Sequence, residues 1–148
     1  MKLDHDLETL LGYQLNRALQ VMTADARRVL EPEALTPAKL AALLVIRANP
    51  GCDQTALARA LSINRSSAMK LINTLAAFGF VERRPGRNLR TNALHLLPDG
   101  VGRLEEMVAA VRESDRAMSA RLSAAERATL TALVRRIGPA RRRPVVEQ

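Results

Sequence analysis

The sequence predicts a mostly α-helical chain, α+β in class, in which about six helices are interrupted once by a hairpin of two or three β-strands. Three observations predict it. Apolar residues make up 47% of the 148 positions but aromatics only 2%, so the core has to be built from Leu, Ala, Val, Ile and Met, a composition that favours helices. Apolar residues recur at three- and four-residue spacing at both ends of the chain. In the middle that periodicity lapses into two short strand-like runs around a Pro-Gly turn. The length suits one compact unit with a packed core.

The elements follow in order. Leu7, Leu10, Leu11, Leu15, Ala18, Leu19, Met22, Ala26 and Val29 define one long helix over 6–30, which Glu31-Pro32 should end because proline disfavours the helical region for the residue before it. Thr36-Pro37 supplies an N-cap and a first-turn proline for a second helix, running to Ala48 and stopped by Asn49-Pro50-Gly51. Asp53 caps a third, to about Leu61. After a turn at Ser62-Ile63-Asn64, a fourth runs to Ala77, with Gly79 as its stop. Residues 80–84 and 93–97 read as strands, joined by the polar loop 85–92. Pro98-Asp99-Gly100 opens a fifth helix, to about Leu122. Ser123 and Glu126 form a capping box for a sixth, ending near Gly138-Pro139.

The formal net charge of +8 points to a polyanionic partner. Its distribution sharpens the inference. Residues 1–50 hold six basic and six acidic side chains; residues 51–92 hold seven and two; residues 93–148 hold ten and seven, with Arg141-Arg142-Arg143 among them. The excess therefore collects where the third and fourth helices and the hairpin lie.

There the residues suit a helix-turn-helix. Leu57, Ala58, Leu61, Ile63, Ala68 and Leu71 are the contacts two short, steeply crossed helices need. The outer face of the second helix would carry Asn64, Arg65, Ser66, Ser67 and Lys70, and no acidic residue occurs between Asn64 and Ala77. Such a set at a helix N-terminus fits base edges in a DNA major groove. Two amphipathic helices with a merely solvated face would mix Asp and Glu among the basic residues. The hairpin adds Arg83, Arg84, Arg87 and Arg90, with Arg87 and Arg90 at a tip suited to the minor groove. Arg83 and Arg84 should point to opposite faces of their strand, so that only one meets phosphate.

The stretch from Leu57 to Arg84, together with Arg87 to Gly100 around the second strand, resembles the MarR family of winged helix-turn-helix transcriptional regulators, over nearly the whole chain. The resemblance implies a homodimer on a palindromic operator in double-stranded DNA, a repressor in its expected sense. Residues 33–97 would be the winged DNA-binding domain, and 1–32 with 98–148 would supply the dimerisation helices. It implies DNA contacts from Arg65, Ser66, Ser67, Lys70, Arg87 and Arg90, and release by a small aromatic or anionic effector, as in many members. Two departures stand out. The wing loop lacks the acidic residues that usually brace it, and Leu97-Pro98 stands where the family has Leu-Thr.

Apolar residues at Leu104, Met107, Val108, Val111, Met118 and Leu122, and at Leu130, Leu133, Val134 and Ile137, exceed what a winged domain needs and fit the expected dimer. Tyr13 and Arg17, four apart, could hold an anion but read better as a surface pair; Cys52 reads as structural. A lone cysteine and two distant histidines, His5 and His95, give no metal site, and no cofactor is expected. No apolar run approaches the ~20 residues of a membrane span, and Asp4, Asp6 and Glu8 stand where a signal peptide would be basic, so a cytoplasmic protein is expected. The absence of a paired His and carboxylate, or of a phosphate loop, speaks against an enzyme. The competing reading is an architectural protein that coats DNA without sequence preference. It would need the charge but not the polar face of Asn64, Ser66 and Ser67.

Overall fold

A computed structural model describes residues 5–86 and 92–137. The order is α1 (His5–Thr9), α2 (Leu11–Leu30), the 3₁₀ turn η1 (Glu31–Glu33), α3 (Pro37–Ala48), α4 (Gln54–Ala60), α5 (Arg65–Ala77), β1 (Val81–Pro85), β2 (Asn92–Leu96), α6 (Pro98–Met118) and α7 (Ala124–Val134).

The expected first helix is two. Leu10 leaves the helical region at φ −69°, ψ 114°, and the Gln14 side-chain amide donates to the freed carbonyl of Glu8 at 2.6 Å. At the other end the α-helix stops at Leu30, as expected, but not for the expected reason. Glu31 stays helical at φ −56°, ψ −42°, the turn tightens to 3₁₀, and Ala34 ends it in the left-handed region at φ 52°. A tightened last turn closes carbonyls that would otherwise lack partners. The fifth helix ends at Met118, four residues early, because Ser119 Oγ bonds back to the Asp115 carbonyl and Arg127 donates to the carbonyl of Leu122. The last stops at Val134; Gly138 and Pro139 lie outside the described residues.

The caps form as local chemistry dictates. Thr36, Asp53, Asn64 and Ser123 each accept a backbone N–H from the first turn of α3, α4, α5 and α7, and Ser123 and Glu126 complete the capping box. The end of α5 is a Schellman closure: Gly79 at φ 73° lets its own N–H reach the Ala76 carbonyl while Phe80 N–H reaches Leu75 O, both at 3.0 Å.

The sheet is an antiparallel pair, Val81 opposite Leu96 through Pro85 opposite Asn92. Cys52 and Leu94 add an isolated bridge: Leu94 N–H donates to Cys52 O and Gly51 N–H to Leu94 O. The hairpin is thereby tied to the chain just before α4.

One core binds these pieces. Leu43, Ile46, Leu57, Ile72, Leu75, Phe80 and Leu94 are fully or almost fully buried together with Leu30 from α2 and Leu104 from α6. Leu104 and Met107 therefore belong to the core of the winged unit, with Val108 and Val111 packed on it. The first half of the stripe expected to face a second copy is occupied within the chain. Gly100 lets α6 pass this closely, since a Cβ there would lie 2.9 Å from Phe80 O.

α2 and α6 pack along each other, and Ser114, buried at their contact, donates to the Asp25 carboxylate, which Arg28 also bonds. The Ser114 bond first, and then Arg28, hold the Asp25 carboxyl below the usual carboxylate range. A lowered folded-state pKa stabilises at pH above the unfolded value and is lost as pH falls through the folded one. Ser114→Ala should therefore melt below the parent at pH 7, with the gap narrowing below about pH 4. Thermal melts across that range check this, and a gap independent of pH would contradict it.

Candidate nucleic-acid interface

The helix-turn-helix is built by packing. Ala58, Ala68 and Ile72 are buried where α4 and α5 cross, and the turn closes with Ile63 N–H on the Ala58 carbonyl at 3.0 Å and Ser62 in the left-handed region at φ 54°. The Gln54 side-chain amide, on the first turn of α4, donates to the carbonyl of Arg65 at 3.0 Å and so registers the two helix starts. Burial on one side of α5 leaves Asn64, Arg65, Ser66, Ser67, Met69 and Lys70 exposed on the other.

Asn64 does local work: its Oδ1 accepts both the Ser67 N–H and the Ser66 hydroxyl, each at 2.8 Å. Asn64→Ala should cost about 0.5–2 kcal/mol of stability as a lost cap, measured by urea unfolding; no loss would show that the cap contributes nothing. Arg65 is the first residue of α5, and that first turn holds no acidic residue. Since a helix N-terminus carries partial positive charge, an arginine there is unfavourable for the helix itself. Ser67 and Lys70 are exposed beside it.

Arg83 and Arg84 diverge as the strand requires. Arg84 pairs with Glu82 on its own strand, Nε to Oε1 at 2.8 Å. Arg83 reaches back to Asn73 Oδ1 on α5 and so ties the hairpin to the helix. Arg87, Arg90 and the arginine run 141–143 lie outside the described residues. A cavity of about 170 Å³ between the start of α4, α5 and the hairpin is lined by Asp53, Gln54, Thr55, Arg65, Arg83 and Asn92.

Met69, Asn73 and Gln54 join this surface without having been singled out in the sequence. Met69 is 46% exposed on the outer face of α5, where an apolar group can meet a thymine methyl. Helical periodicity would have found it, because it falls four residues after Arg65. Asn73 and Gln54 act through tertiary partners. Burial, with Asp53 adding to it, pushes the Cys52 thiol above its ordinary range, the direction opposite to that of a reactive thiolate.

A helix pair in this arrangement, followed at once by a basic hairpin tied to its second helix, defines a winged helix-turn-helix protein. A sequence model of the MarR family matches residues 35–88. A "putative transcriptional regulatory protein for hcr operon" from Thauera aromatica is 39% identical over 129 residues, 86% of this chain and 78% of that protein. The transcriptional repressor CouR, solved on a 23-mer DNA duplex, superposes with a TM-score of 0.85 at 28% identity over 91% of this chain and 97% of that one. A Mycobacterium tuberculosis MarR family protein solved with salicylic acid gives 0.70 at 25% identity, over 88% and 97%. The chain belongs to the MarR family of transcriptional regulators. Among the described residues no helix is long and apolar enough to cross a membrane.

Proposed function

We propose that this chain is a homodimeric repressor that reads a palindromic operator with α5 in the major groove and the hairpin along the minor groove. The observation that carries it is the outer face of α5: Arg65, Ser66, Ser67, Met69 and Lys70 exposed, no acidic residue in the first turn, and an arginine where the helix dipole disfavours one. A local rule broken at an exposed position marks selection for something other than stability. Arg65, Ser66, Ser67 and Lys70 are the base-reading set, with Asn64 as both cap and flank. Arg84, Arg87 and Arg90 are the hairpin's contacts to backbone and minor groove.

Residues 33–97 carry the DNA-binding surface, and two copies pair through 1–32 and 98–148, apart from the first half of α6, which closes the winged core. Support comes from Leu11, Leu19 and Val21 on α2, Met118 on α6, and Leu130, Leu133 and Val134 on α7, all between 42% and 63% exposed. Release by a small aromatic or anionic effector belongs to the same reading. A cavity of about 460 Å³ between α2, α6 and α7 has Arg17 and Arg121 among its lining residues, beside apolar Ala18, Met22 and Leu122. Tyr13 stays beside Arg17, its ring 5.9 Å from the guanidinium carbon.

Competition between an operator, selected by the protein from a randomised duplex pool, and random DNA tests the assignment. A preference of about 10³-fold or more is expected of a specific reader. A ratio below about tenfold would favour the architectural alternative.

A further inference from the structure

Arg103, on the second turn of α6, donates from all three nitrogens of its guanidinium. Its Nε donates to Glu33 Oε2 at 3.0 Å, and one Nη donates to the same oxygen. The other Nη donates to the carbonyl of Phe78 at 3.1 Å. The planar face lies over the ring of Phe80, 4.0 Å from Cζ to centroid. Glu33 closes the turn after α2, Phe78 is the C-cap of α5, and Phe80 is the second residue beyond that cap. One side chain thus joins the end of α2, the start of α6 and the end of α5.

The chemistry suits arginine in particular. The Phe78 carbonyl is at the negative end of α5, where a cation is favoured. The Arg103 and Glu33 side chains are 38% and 31% exposed, so their ion pair alone would stabilise little. What is specific is the geometry: a rigid planar fork that bonds in two directions and stacks in a third. Lys39 braces the same point from α3, its Nζ on the Ala34 carbonyl at 2.9 Å and 4.8 Å from the Phe78 ring centroid.

We propose that Arg103 is a positioning residue that holds the reading helix at a set angle to α2 and α6, and thereby sets the half-site spacing that the dimer accepts. The inference rests on the DNA-reading assignment above. Arg65 stands at the opposite end of α5, about 20 Å from Phe78 at ~1.5 Å per residue. A tilt of about 5° at Phe78 would move it by about 1.7 Å, beyond the ~0.5 Å within which a binding constellation must be held. Arg103 sets this angle without touching DNA itself.

The test uses the full chain and the selected operator, beside the same duplex with one base pair inserted between the half-sites, which rotates one half-site by about a tenth of a turn. The parent should prefer the selected spacing at least about tenfold. Arg103→Gln and Arg103→Lys should each narrow that ratio to about threefold or less, with the slope of affinity against salt unchanged because no phosphate contact is lost. Glu33→Ala should narrow it in part and add nothing to Arg103→Gln, as coupled residues do. Lysine keeps the stem and the charge but not the fork, so the inference stays testable if the glutamine variant does not fold. Either variant with the parental spacing ratio overturns the inference and leaves the DNA-reading assignment standing. A parent that does not prefer the selected duplex over random DNA overturns both.

Discussion

Replacing Phe80 with alanine should lower the unfolding free energy by about 3–5 kcal/mol, the range for emptying a buried aromatic site. Phe80 is fully buried in the cluster that holds Leu75 of α5 and Leu104 of α6. Its ring supports the Arg103 guanidinium, and its backbone closes the Schellman turn and accepts Leu97 N–H at 2.9 Å. The backbone bonds survive the substitution; the packing and the cation–π contact do not. Domains of this size are stable by only about 5–15 kcal/mol, so the loss is a large share and the melting temperature should fall by about 10 °C or more. Phe78, half-buried at the rim of the same cluster, is the control, and Phe78→Ala should cost clearly less. Urea unfolding measures both, and a Phe80→Ala loss below about 1 kcal/mol would mean that the end of α5 is not held by this ring.

Arg65→Ala should weaken operator binding by about 1–3 kcal/mol, roughly five- to 150-fold, and relax the preference for operator over random DNA. Stability should move the other way. Arg65 is exposed at the first position of α5, alanine is a better helix former and removes a cation from the positive end of the dipole. Unchanged or slightly raised melting with lost affinity separates a reading residue from a structural one. Arg84→Ala offers the contrast. A phosphate contact there predicts weaker binding to operator and random DNA alike, with the salt dependence flattened by about one unit of slope. An Arg65→Ala protein that kept parental operator affinity and preference would remove α5 from the major groove.

Much of this fold was legible because the signals are local. Thr36, Asp53, Asn64 and Ser123 cap helices through backbone N–H groups three residues away, and Gly79 supplies a positive φ at the adjoining turn. Periodicity separated the buried Ala68 from the exposed Arg65 and Lys70, but it chose Leu71, which is half-buried, where Ile72 is the fully buried side chain. The misreadings at Leu10 and Ser119 are both at helix ends, where side chains from the next turn or the next helix, such as Gln14 and Arg127, decide between a continuing helix and a turn. The apolar stripe of α6 was visible, but not that its first half packs inward while Met118 stays out. A stripe records what must leave water and not what covers it.

By itself, then, the sequence determined the order of the elements, the caps, the charge concentrated between α4 and the hairpin, and the acid-free outer face of α5. Those are properties of neighbours within a turn or two, set by spacing and backbone chemistry. Only the tertiary structure decided that Asp25 meets Ser114, that Cys52 pairs with Leu94, that Arg83 turns to Asn73, and that Arg103 gathers Glu33, Phe78 and Phe80. Three of those four associations join residues more than 20 apart in sequence, and all four follow from how the packed helices and hairpin are placed. No local pattern encodes them, because the free energy that makes them is that of closing the shared core.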